Sequence, residues 1–148
     1  MTRRDRPHTR TRTRTHRIRD PLVKSVLKMD DALFKQRRRI IEMLYDAKKV
    51  LGIDLPRVQI RIVEMANGEV SGISFVGKNS IVISHEIADW TEQELLRTVW
   101  HELGHAWFNA SHDESCPLMS AYRPPGGVPR AKLVPALRRI AAEAGGVQ

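Results

Sequence analysis

Two histidines four residues apart, with a glutamate directly after the first, stand at His101, Glu102 and His105 in the run HELGH. On an α-helix, residues four apart leave the same face one turn above each other, so both imidazoles can meet one metal ion. Glu102 lies about 100° around the helix from His101 by the 3.6-residue period. From there its carboxylate can reach a metal-bound water without ligating the metal. A zinc ion lowers the pKa of such a water to about 7, and the carboxylate takes its proton as the water attacks a carbonyl. The spacing is the H-E-x-x-H pattern of zinc-dependent peptide hydrolysis. His101 and His105 are therefore expected as ligands of one Zn2+, and Glu102 as the catalytic base.

A catalytic zinc takes three protein ligands and leaves one position open. His112 follows His105 by seven residues, beyond Asn109, a residue that tolerates the left-handed conformation that ends a helix. If the helix stops at Asn109, the chain can fold back and bring His112 to the metal. Asp113 and Glu114 offer oxygen ligands as alternatives. Cys116 could ligate through sulfur, which would close the site. His85 is expected to line the cleft or sit on the surface, and His8 and His16 are not expected as ligands.

The stretch HELGHAWFNASHDESCPLMSAY resembles the active-site segment of the metzincin metallopeptidases, and most of all the matrixin group. That family's pattern is H-E-x-x-H-x-x-G-x-x-H followed by a Met-turn. His101, Glu102 and His105 match it directly, His112 resembles the third ligand, and Met119 occupies a place similar to the Met-turn methionine. Phe108 stands where the family has glycine, and one inserted residue sets His112 one position late. Tyr122 comes three residues after Met119, where some metzincins place a metal-facing tyrosine two residues after. It would contribute to transition-state stabilisation or to the wall of a substrate pocket. The resemblance implies a zincin fold and an extended peptide substrate lying along an edge strand beside the active-site helix. The third strand, 79–84, or its neighbour around 72–76, would be that edge.

These residues need a helix and a scaffold. Thr91-Glu92-Gln93-Glu94 reads as a capping box, and Leu95, Leu96, Val99, Trp100, Leu103 and Trp107 supply an apolar face, so the helix should be buried along much of its length. Upstream, Asp20 can cap and Pro21 can open a short helix over about 21–29. A second helix is expected to start near Asp30-Asp31. Leu33, Ile40, Leu44 and Leu51, with neighbours Phe34, Ile41 and Ala47, recur there at helical spacing, and Gly52 and Pro56 end it. Val58 to Ile62 alternates as a half-buried strand. Asn67-Gly68 is a turn dipeptide. Val70 to Val76 reads as a second strand interrupted at Gly72, and Ile81 to Ile83 as a third. Beyond a Pro124 to Pro129 loop, Leu133, Val134, Leu137 and Ile140 mark a last helix over about 130–144. The fold class is α+β: a compact zincin-like domain over 21–148, its small, mostly antiparallel or mixed sheet packed on helices.

Of the net charge of +8, residues 1–20 hold +6, eight arginines against two aspartates. That stretch has almost no apolar surface to repay ordering and is expected to be disordered. It could hold an acidic or nucleic-acid partner without sequence specificity. The other 128 residues carry 17 basic and 15 acidic side chains, so the domain is nearly neutral. No apolar run long enough to span a bilayer occurs and no apolar segment follows the basic N-terminus, so neither a membrane segment nor a secretory leader is expected. With a single cysteine the default compartment is the cytoplasm. Three functions follow in order. The first is a zinc endopeptidase acting on a peptide or protein. The second is an intracellular regulatory peptidase resembling the ImmA/IrrE kind, for which a later acidic ligand (Glu114 or Glu143) would replace His112. The third is a nucleic-acid-binding protein with a structural zinc and a working basic tail.

Overall fold

The computed structural model describes residues 21–54, 57–63 and 72–146. The basic tail, Pro56, the Asn67-Gly68 turn and the start of the second expected strand lie outside the described residues. The order is α1 (Pro21–Leu51), β1 (Gln59–Val63), β2 (Ile73–Phe75), β3 (Ser80–Ser84), a short 3-10 helix (His85–Asp89), α2 (Glu92–Phe108) and α3 (Arg130–Gly146). The α+β class is as expected. No described helix is long and apolar enough to cross a membrane.

Where two helices were expected between 21 and 51, there is one continuous helix of 31 residues. Neither glycine nor proline occurs between Leu22 and Leu51. Asp30-Asp31 costs a helix interior only about 0.7 kcal/mol per residue, too little to break it once a long apolar stripe is packed. That stripe is Leu33, Ile40, Met43, Leu44 and Ala47, all buried, while Phe34 faces solvent, contrary to its grouping with the apolar set. Gly52, at φ +67°, ends the helix, and its N–H donates to the Lys48 carbonyl.

The sheet is mixed. β1 runs parallel to β3, with Gln59 opposite Ser80, and β2 runs antiparallel to β3, with Ile73 opposite Ile83. The strand order β1-β3-β2 makes β3 the central strand. Of the two strands expected as the edge, the third is not one, because both of its sides are paired; its neighbour β2 is an edge, and β1 is the other. The reason is visible in burial, since Ile81 to Ser84 are all buried, as in a strand covered on both faces.

The core lies where α1, α2, α3 and the sheet meet. Trp100 is fully buried and donates its indole N–H to the Met43 carbonyl at 3.0 Å, tying α2 to α1. Gln36, also buried, donates to the carbonyls of Ile87 and Trp90, so α1 holds the segment that leads into α2. Leu133, Ala136, Leu137 and Ile140 bring α3 into the same core. α3 extends to Gly146, and Pro135 stands within its second turn.

Arg130, at the start of α3, grips Asp46 of α1 with two hydrogen bonds of 2.8 Å. That guanidinium holds the Asp46 carboxyl below its ordinary value. Both side chains are partly exposed, so solvent screens the pair. Asp46→Asn should therefore lower stability at neutral pH by less than about 1 kcal/mol. The difference is present above the unfolded carboxyl's pKa of about 3.9 and lost as pH falls through the lower folded-state value. Chemical denaturation of both proteins at neutral and strongly acidic pH measures it.

Candidate metal centre

Helix α2 starts as its sequence demands. The Thr91 hydroxyl accepts from the Glu94 N–H at 3.2 Å, and the Glu94 carboxylate accepts from the Thr91 N–H at 2.8 Å. Those bonds, with a further one from the Gly126 N–H, hold the Glu94 carboxyl below its usual range. The helix ends at Asn109, at φ 53° and ψ 32°, the one non-glycine residue with positive φ among the described residues. The Ala110 N–H then reaches back to the Gly104 carbonyl at 3.0 Å. Asn109 thus makes the turn that ends the helix, and the segment after it returns along α2.

This return brings three imidazoles together. His101, His105 and His112 each offer a ring nitrogen, and these atoms all lie within 4.8 Å of one another, close enough to hold a metal ion. His101 is buried, His105 half-buried and His112 exposed. Ring centroids stand 4.6 Å apart for His101 and His105, 5.2 Å for His101 and His112, and 4.9 Å for His105 and His112.

Hydrogen bonds fix which nitrogens face inward. His101 Nδ1 lies 2.7 Å from the Leu118 carbonyl, and His105 Nδ1 lies 2.7 Å from the Ala110 carbonyl. A carbonyl only accepts, so each Nδ1 carries the hydrogen and each Nε2 of the neutral ring is a lone pair. The two Nε2 atoms are 3.1 Å apart. Burial pushes the His101 pKa down to about 4, so at neutral pH its Nε2 is an open acceptor. A proton or a metal ion between the two nitrogens would satisfy both. Nitrogens each about 2.0–2.1 Å from a tetrahedral zinc are about 3.4 Å apart, close to the spacing seen. The donor set fits a metal ion.

Glu102 stands beside this cluster, its Oε2 4.0 Å from His101 Nε2. Burial raises its pKa, partly offset by the nearby Arg123 and Arg97 guanidinium groups. The alternative ligands are engaged elsewhere. Asp113 accepts from the Ser115 hydroxyl and N–H, and Glu114 from the Ser120 hydroxyl and the Ala121 N–H. Cys116 is buried, and its sulfur accepts from the Met119 N–H at 3.4 Å. His85, half-buried in the 3-10 helix, is outside the cluster.

Met119 is buried directly against α2 at Gly104. A Cβ placed on that glycine would stand 2.9 Å from the Met119 sulfur, so the missing side chain makes the methionine's seat beside His105. Tyr122 is anchored by its backbone, through the Ser120 hydroxyl and the Arg97 guanidinium, with its side chain exposed. Sequence reasoning missed Arg97. It is buried one turn before His101, and its guanidinium donates to the carbonyls of Pro117, Ser120 and Tyr122. The available signal was its place at i−4 from His101.

Compared with protein-family models, curated proteins and solved structures, the chain matches none. The metzincin resemblance rests on residues 101–122.

Titration of the full chain with Zn2+ should reach one ion per chain. His112→Ala should weaken binding by more than the roughly 10–100-fold typical of losing an outer partner of a ligand. A competition assay with a chromophoric chelator gives both numbers.

Proposed function

We propose that the protein is a small zinc-dependent endopeptidase. The observation that carries this reading is the cluster of three imidazoles, two of their Nε2 atoms 3.1 Å apart, with a half-buried carboxylate beside it. His101, His105 and His112 would hold the ion. Zinc supplies Lewis acidity, polarising a substrate carbonyl and making water acidic near neutral pH.

Glu102 does the proton work. Its carboxylate is near enough to the ligand nitrogens to accept a proton from the attacking water at Oε2 and pass it to the departing amine nitrogen. The raised affinity of that carboxyl for protons suits a group that must hold one between the two steps. β2, an edge of the sheet, packs against α2. An extended peptide pairing with β2 would gain main-chain hydrogen bonds without strict choice of side chain. Tyr122, exposed at the end of the return segment, is the remaining candidate for contact with substrate.

Two observations favour this reading over its rivals. A regulatory peptidase of the ImmA/IrrE kind would use a late acidic ligand, but Glu114 is occupied within its own loop, and His112 lies within reach of His101 and His105 as a third ligand would. A purely structural zinc has no use for a carboxylate at Glu102, and the exposure of His112 leaves the cluster open on one side. The tail of residues 1–20 would then serve to deliver the enzyme to an acidic or nucleic-acid target. The one cysteine, free and buried, fits a reducing compartment, and we place the enzyme in the cytoplasm.

Glu102→Gln keeps the shape of the side chain and removes the base. It should retain zinc while hydrolysis of a quenched fluorescent peptide library falls by about 10²–10⁴-fold. Unchanged hydrolysis would refute the role given to Glu102.

A further inference from the structure

Arg97 is 3% exposed, a full charge taken out of water. Such burial is costly, and a methionine of similar volume would fill the space without the cost. What the charge does is specific. Its acceptors are backbone carbonyls, those of Pro117, Ser120 and Tyr122, all in the segment that returns along α2. That segment carries the Leu118 carbonyl, which receives the His101 Nδ1–H and so aims the opposite nitrogen inward. It also carries the Met119 carbonyl, which accepts from the Asp113 N–H at 3.0 Å, one residue past His112. Arg97, His101 and His105 follow one another at four-residue intervals on a single face of α2.

We infer that Arg97 is the positioning residue of the metal centre, its guanidinium clamping the 117–122 loop so that Leu118 orients His101 and Met119 holds the backbone beside His112. This deepens the metal-centre reading and rests on it. A guanidinium suits the task because its several fixed donors can satisfy diverging carbonyls at once, and it stays charged at any pH the protein meets. The clamp touches no reacting atom. It sets ligand direction, and ligand direction determines metal affinity and coordination geometry.

The test uses the full chain with Arg97→Met, Arg97→Gln and Arg97→Lys, and Ile40→Val, a buried apolar change on α1, as a control. Zn2+ affinity is read by chelator competition, and the geometry by the visible absorption bands of the Co2+-loaded protein. Arg97→Met should bind Zn2+ about 10–100-fold more weakly and shift the Co2+ bands. Arg97→Lys, still able to donate to carbonyls, should recover much of both. Ile40→Val should lower the melting temperature and leave affinity and bands unchanged. Should Arg97→Met fail to fold, the Gln and Lys variants carry the same comparison. Folded Arg97 variants with wild-type affinity and bands would overturn the inference, as would a loss of affinity in Ile40→Val in proportion to its lost stability. A wild-type chain that binds neither ion would overturn the metal centre itself, and this inference with it.

Discussion

The structure turns on two hydrogen bonds from imidazole to backbone. In each, a histidine on α2 gives its Nδ1–H to a carbonyl of the segment that folds back after Asn109, Ala110 for His105 and Leu118 for His101. Each bond fixes a tautomer and a ring direction, and together they aim two bare nitrogens at one point. Everything else serves to keep the returning backbone where those carbonyls must be. Asn109 supplies the reversal, and Met119 seats itself against Gly104. Glu94 catches the Gly126 N–H, and a Cβ at Gly127 would stand 2.5 Å from the Gln93 backbone, so this end of the segment lies flat on the start of α2.

The rest of the chain makes α2 rigid enough for this. A helix that presents ligands four residues apart gains nothing if it can rotate or fray. Its opposite face is buried through Leu95, Leu96, Val99, Trp100 and Leu103. The capping box fixes its first turn, and Gln36 of α1 holds the two residues' carbonyls, Ile87 and Trp90, that lead into it. The edge strand β2 is pinned near both of its ends. Before it, the Trp90 ring fills the space that a side chain at Gly72 would need, and after it Lys78 lies over Trp107 at 5.6 Å. Trp90 stands just before α2 and Trp107 in its last turn, so β2 is referenced to the helix that carries His101 and His105.

What was legible in the sequence was local. The H-E-x-x-H spacing, the Thr91 to Glu94 cap and the αL-tolerant Asn109 each depend on interactions within a few residues, and each stands in the structure as read. His112 was accessible because a helix end and a seven-residue spacing limit where a chain can return. What was not legible depends on partners far along the chain. Asp30-Asp31 looked like a helix start because short acidic residues favour caps, but a packed stripe outweighs that preference. The edge was left open between the third strand and its neighbour because order in sequence says little about order in a sheet, and here the later strand entered between the earlier two. Arg97 was not singled out, since nothing local announces that three carbonyls some 20 residues later will enclose it.

The central claim is that three imidazoles of one short segment hold one zinc ion and leave a position free. X-ray absorption at the zinc edge, on the full chain with its metal content measured alongside, tests it most directly. The account predicts one zinc per chain, three imidazole nitrogens at about 2.0–2.1 Å and one further light ligand from solvent. A sulfur ligand, a shell of two imidazoles with a protein carboxylate, or a chain that takes up no zinc would contradict it.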